Sequence, residues 1–289
     1  RSGPMDTAIS LALLAGFCWA ANIVIVRWAI QRTNASPLAA AAMGIGVAAL
    51  VALSVALVSG HDAPSGSDLW RFGLVGVIAP GCSQGLFVAA IASIGPSRTS
   101  VLIGTSPVFS ILLAIAFLGE DWQFEIIVGT LVTVAGGAVI GWEPNLLSRR
   151  LGVAFGLLTA LSFGVRDVVA RGFNNESELS AWWAGAIVLG AAGIVLTTMV
   201  GVQQRGNTIS ALRGALPEFF ASGLAIGLAL PLLLAALDRG RVGIVAPLSL
   251  ASQNVSVVAM GAVVFGANER TPRILLAIML VVAGATLVS

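Results

Sequence analysis

"TSPVFSILLAIAFLGED", Thr105 to Asp121, is a long apolar run broken near its start by a proline and closed by Gly-Glu-Asp. "SQNVSVVAMGAVVFGANE", Ser252 to Glu269, has the same shape, with Gln253-Asn254 standing where the first run has Ser106-Pro107. One chain writes the phrase twice and changes its polar residues the second time. Both features bear on the fold.

The setting for such phrases is composition. The chain is 57% hydrophobic and 10% charged, against about 25% charged for an average soluble domain. One core stops growing near the length of this chain, so 289 residues cannot hide that much apolar surface from water. Lipid must be the solvent for much of it. A span needs about 20 apolar residues to cross a hydrocarbon core of roughly 30 Å. Ten segments qualify: 7–30, 36–59, 70–94, 97–119, 123–142, 151–173, 180–202, 213–237, 242–266 and 271–288. They are too long and too uniformly apolar for alternating barrel strands, and lipid offers their backbone no partner. An all-α integral membrane fold of ten transmembrane helices is expected.

The duplication is wider than the opening phrase. "LALLAGFCWAANIVIVRW" (Leu11 to Trp28) aligns with "FGLLTALSFGVRDVVARG" (Phe155 to Gly172), placing Trp19 on Phe163, Asn22 on Arg166 and Arg27 on Arg171. "GTLVTVAGGAVIG" in the fifth segment is echoed by "AIMLVVAGATLVS" in the tenth. The expected organisation is a five-helix repeat over 5–145 and a second over 146–289, joined near "GWEPNLLSRR". Five is odd, so the second copy enters the membrane from the opposite side. This gives an inverted repeat around a central cavity, a design suited to alternating access. "RSGP", residues 1–4, reads as a cloning remnant, and no cleavable signal peptide is read after Met5.

The phrase "PVFSILLAIAFLGE" with the following "GTLVTVAGG", the doubled five-helix unit and the length resemble the drug/metabolite transporter superfamily, specifically its ten-helix EamA-type exporters and among them the YddG-type amino-acid exporters. The second copy departs from the family pattern: Asn254 replaces the proline, and Ala267-Asn268 intervene before Glu269. The resemblance implies a basket of helices around a cavity in the cytoplasmic membrane of a bacterium. It also implies export of small metabolites, amino acids (aromatic and other neutral ones) foremost, and termini in the cytoplasm. The arginine tally points the other way. Arg71, Arg171, Arg239 and Arg241 fall on the termini side against nine arginines opposite, which by the positive-inside rule puts the termini outside.

Polar residues inside spanning helices usually face protein or a watery cavity, so they nominate a pocket. Trp19 and Asn22 share one face of the first helix. In "APGCSQG", Pro80 removes a backbone donor and Gly81 adds freedom, with Gln84 one turn on and Phe87 beyond it. Thr105 and Ser106 precede Pro107, and Phe163 and Arg166 lie in the sixth helix. Ser252, Gln253 and Asn254 lie in the ninth, and Pro231 interrupts the eighth. Pro80, Gly81, Pro107 and Pro231 are candidate hinges; the rest are candidate substrate contacts, with Trp19, Phe87 and Phe163 as walls. Each has a blander reading. Hydroxyls bond back to their own helix, prolines merely kink, and Trp19 can anchor at an interface. Gly16, Gly129 and Gly136 read as close-packing positions.

Asp167 and Arg171 stand four apart, a spacing that forms an intrahelical pair. Arg166 then either snorkels to the interface or offers its fork to a substrate carboxylate. Glu120, Asp121 and Glu269 read as turn caps. An exporter of lipophilic cations is expected to bury an unpaired carboxylate, and the chain shows no clear candidate, which favours a zwitterionic or neutral substrate. Export of other metabolites or drugs is the alternative. An intramembrane enzyme is disfavoured: there is no His-Glu zinc motif, and the one histidine, His61, sits in a loop. No cofactor or metal is expected. There is no basic run for nucleic acid and no nucleotide-binding glycine loop. Cys18 and Cys82 read as small buried hydrophobes. The expected partners are a small-molecule substrate and the lipid bilayer, and a monomer is expected.

Overall fold

Because lipid cannot satisfy a backbone, each apolar run closes its hydrogen bonds along itself. The computed structural model describes residues 4–30, 32, 36–94, 99, 102–121, 123–141, 150–204 and 208–265, with six isolated positions between 276 and 287. Among the described residues every regular element is helical. In chain order they are α1 (Pro4–Ile30), α2 (Pro37–Val58), α3 (Gly66–Gly76), a π segment (Val77–Cys82), α4 (Ser83–Ile94), α5 (Ser106–Leu118), α6 (Phe124–Gly141), α7 (Arg150–Asn175), α8 (Ala181–Gln204), α9 (Thr208–Arg239) and α10 (Val242–Phe265). The join at 142–149, Ala267, Asn268 and Glu269, residues 1–3, and most of the tenth expected span lie outside the described residues.

Among the described residues seven helices are long and apolar enough to cross a membrane, counting Gly66–Ala90 through the π segment as one. Ser106–Leu118 and Phe124–Gly136 are shorter apolar helices. Large apolar side chains such as Leu50, Leu57, Phe117, Ile194, Val202 and Val263 point outward. A helix in lipid keeps such a face, since no solvent penalty drives it inward.

Local chemistry sets the boundaries. Ser36 caps α2 by accepting from Ala39 N at 3.2 Å, with Pro37 in the first turn, where its missing N–H costs nothing. Ser65 and Asp68 form a reciprocal capping box on α3. Gly119 ends α5 in the left-handed region at φ 65°.

Packing relies on small residues that let backbones approach. A Cβ on Gly76 would lie 2.1 Å from the Val188 carbonyl oxygen, and one on Gly223 2.7 Å from that of Gly44. The packing partners interleave along the chain. α1 lies on α9 and α10, α7 on α4 and α5, α2 on α8 and α9, and α8 also on α3 and the π segment. The buried alanines of α2 and α8 join Phe72, Leu189, Leu196 and Leu230 in the largest core cluster.

Candidate functional site

Among the described residues, two groups of polar side chains within the spanning helices link one helix to another. The first surrounds α1. Ser222 of α9 donates to the Asn22 side-chain oxygen at 2.6 Å. Ser252 of α10 donates to the Leu13 carbonyl at 2.6 Å, so this hydroxyl holds two helices together. At the same crossing a Cβ on Gly16 would sit 2.2 Å from the Ser249 carbonyl oxygen and 2.9 Å from the Gln253 nitrogen. Gly16 is therefore the close-packing position expected of it. Trp19, one turn on, is half-buried against the main core cluster.

The second group joins α7 to α5. Arg166 and Asp167 are buried, with 9% and 5% of their surface exposed. Arg166 donates to Asp167 Oδ1 from Nε at 3.0 Å and from Nη2 at 2.8 Å. Ser110 Oγ lies 3.1 Å from Asp167 Oδ2 and 3.1 Å from the Ser106 carbonyl oxygen. The Arg166 guanidinium also lies over the Phe163 ring, 5.2 Å from its centroid. This group gathers Ser106, Phe163 and Arg166 from the expected list and adds Asp167 and Ser110. No hydrogen bond among the described residues links the two groups.

The Asp167–Arg171 pair expected from their spacing does not form. Asp167 turns to its neighbour Arg166, and Arg171 donates instead to the Leu237 and Asp238 carbonyls at the end of α9. Those carbonyls lack intrahelical donors and form the negative end of the helix dipole, a better partner for a cation than an aspartate already engaged. Asn174 adds a bond to the Leu234 carbonyl at 3.2 Å. Glu120 clamps the other side of this corner, accepting from Val242 N at 2.8 Å and Gly243 N at 3.2 Å. It thus caps α10, 122 residues away, while Arg241 donates to the Asp121 carbonyl at 2.8 Å.

The remaining expected residues take several roles. Pro80 and Gly81 are buried in the π segment, where Ala79 is extended (φ −152°, ψ 125°). Gln84 and Phe87 are half-buried on α4. Thr105 spends its hydroxyl on the Leu102 carbonyl at 2.6 Å in the turn before α5, and Pro107 is buried in the first turn of that helix. Pro231 is buried in α9, which continues through it, and a Cβ on Gly185 would lie 2.6 Å from its ring. Gln84, Gln253 and Asn254 are half-buried in apolar helices, and their side chains make no hydrogen bond with another described residue. A cavity of about 280 Å³ between α1, α8 and α9 includes only Pro231 from the expected list, alongside Trp182 and Arg239. Cys18 and Cys82 are both free, and Cys82 is exposed rather than buried. His61 is exposed beside Ser59.

Ser110 and Ser222 were not singled out by sequence reasoning. Ser110 stands four residues after Ser106 and so on its face, which is a legible signal. Ser222 has none; only the approach of α1 to α9 gives it a partner.

Residues 6–142 match the model of the EamA-like transporter family. A "Probable terminal-alkyne amino-acid exporter" of Streptantibioticus cattleyicolor is 30% identical over 187 residues, 59% of this chain and 62% of its own. An "S-adenosylmethionine uptake transporter" of Rickettsia bellii is 32% identical over 108 residues, 35% of each chain. The aligned stretches therefore span less than two thirds of either relative. A solved crystal structure shares the fold, with a TM-score of 0.76 at 18% identity over 99% of this chain and 96% of its own. The resemblance to the drug/metabolite transporter superfamily is thus supported over residues 6–142, and the described residues include seven helices long and apolar enough to cross a membrane.

Proposed function

We propose that this EamA-type transporter exports neutral amino acids, aromatic ones included, across the cytoplasmic membrane of a bacterium by alternating access. The observation that carries the substrate class is the Arg166–Asp167 pair at 2.8 Å. The acid inside α7 is already neutralised, so the site offers a lipophilic cation no bare carboxylate. It suits a cargo of zero net charge instead. The exporter relative supports the class by its name, since a terminal-alkyne amino acid carries the zwitterionic α-amino-acid head.

The machinery is two five-helix units, 5–145 and 146–289, in inverted orientation, completing ten spans with the segment near 271–288. The interleaved packing supports this. α1 lies on α9 and α10 as α7 lies on α4 and α5, which is the exchange a pseudo-twofold axis requires. Trp19, Phe87 and Phe163 wall the pocket. Asn22, Gln84, Thr105, Ser106, Arg166, Ser252, Gln253 and Asn254 furnish its polar groups. The breaks at Pro80-Gly81 and Pro107 let the flanking half-helices tilt. The protein works as a monomer with its termini in the cytoplasm.

The test is transport by proteoliposomes holding only this protein. The panel is labelled Phe, Trp, Thr, Met, Glu, Lys, S-adenosylmethionine and a lipophilic cation, each with and without a pH gradient. Movement of several neutral amino acids with the cation ignored is expected. Movement of the lipophilic cation alone, or of the cationic S-adenosylmethionine alone, overturns the reading.

A further inference from the structure

We propose that the Arg166–Asp167 ion pair is the receptor for both charges of the cargo's amino-acid head: it parts on loading, Arg166 taking the α-carboxylate and Asp167 the α-ammonium. This rests on the amino-acid export reading and specifies its binding site.

The argument starts from charge. A carrier passes through loaded and empty states, and a guanidinium buried in a spanning helix needs an anion in both. In this structure that anion is Asp167, held through Nε and Nη2 at 3.0 and 2.8 Å. A carboxylate-only ligand that took over the guanidinium would leave Asp167 bare. An amine-only ligand on Asp167 would leave Arg166 bare. A zwitterion alone exchanges one neutral pair for two and leaves no buried charge uncompensated. The two receptor groups already touch, which matches a ligand whose charges are separated by one carbon.

The surroundings suit an opening pair. Ser110 holds the second oxygen of Asp167 at 3.1 Å and is itself fully buried, so the carboxylate stays anchored to α5 when Arg166 leaves it. Phe163 gives the guanidinium a face to rest on, at 5.2 Å from its centroid. The Arg166 side chain retains a tenth of its surface exposed, so the pair is not sealed off. Ser110 is thus a positioning residue and Asp167 a binding residue.

The experiment compares phenylalanine with 3-phenylpropionate, 2-phenylethylamine and phenylalaninamide. Binding is measured by isothermal titration of the purified protein, and labelled phenylalanine transport in proteoliposomes is measured separately. The native protein is expected to bind phenylalanine at least about tenfold more tightly than each analogue, because a site built to bond a polar group rejects a ligand lacking it. Asp167→Asn should reverse the order in favour of 3-phenylpropionate, which now matches an unopposed guanidinium. Arg166→Gln should reverse it in favour of 2-phenylethylamine. The double variant Arg166→Gln/Asp167→Asn carries no charge and shows by size exclusion that the fold survives. Unchanged preference in both single variants overturns the proposal and leaves amino-acid export standing. Equal binding of 3-phenylpropionate and phenylalanine by the native protein overturns it even where the variants do not fold. Absence of amino-acid transport by the native protein overturns the export reading itself.

Discussion

Residues 66–118 and residues 208–265 use the same ingredients and build differently. In the first region Pro80 coincides with a break: α3 stops at Gly76, a π segment intervenes, and α4 resumes at Ser83. A second break precedes α5, whose Pro107 sits in the first turn. In the second region α9 runs unbroken from Thr208 to Arg239 through Pro231, and α10 from Val242 to Phe265 through Pro247. The difference teaches that a proline weakens a helix but does not by itself end it. Proline disfavours a helical residue before it. Ala79, before Pro80, follows that preference and is extended. At Pro231 the ring fills the notch above Gly185, and tertiary packing keeps the helix whole.

If the contrast is functional, four variants should rank accordingly. Pro80→Ala lets the helix close across residues 77–82 and should lower amino-acid transport at least about tenfold, a barrier change near 1.4 kcal/mol; initial rates in proteoliposomes at matched protein density check this. Unchanged rates would make the break ornamental. Next, Gln253→Ala/Asn254→Ala removes the amides that stand where the first region has Ser106-Pro107. Transport should fall by about tenfold while the protein stays monodisperse, since neither side chain bonds another described residue.

Glu120→Gln tests the joint between the regions, because this side chain at the end of α5 caps the start of α10. Hydrogen bonds to charged groups are worth about 1.5–3 kcal/mol, and the variant should lose a comparable amount by thermal unfolding in detergent. A melting temperature equal to the native one would remove the clamp from the stability argument. The smallest effect is expected at Pro231→Ala. Transport should change less than about twofold, and stability should fall by about 1 kcal/mol through the void left above Gly185. A large transport loss there would erase the contrast and restore Pro231 as a hinge.

Charge partners were the least legible part of the site. Asp167 and Arg171 have the spacing of a helical pair, yet each finds a closer partner. Arg166 is adjacent, and the open carbonyls of α9 lie 66 and 67 residues further along the chain from Arg171. Thr105 and Ser252 read as pocket hydroxyls, and both spend their protons on backbone carbonyls, Ser252 across to α1. By contrast, the side chains of Gln84, Gln253 and Asn254 make no hydrogen bond with another described residue.

What the sequence determined by itself was the all-helical class, with apolar runs long enough to cross a membrane, and the position of the described spans. Each of these is a local property: an apolar stretch of sufficient length has only one way to satisfy its backbone in lipid. What only the tertiary structure decided was which polar group answers which. Ser110 meets Asp167, Ser222 meets Asn22 and Glu120 meets the start of α10 across 57, 200 and 122 residues. Hydrogen bonds act over about 3 Å, and no spacing along a chain reveals which distant helices will approach so closely.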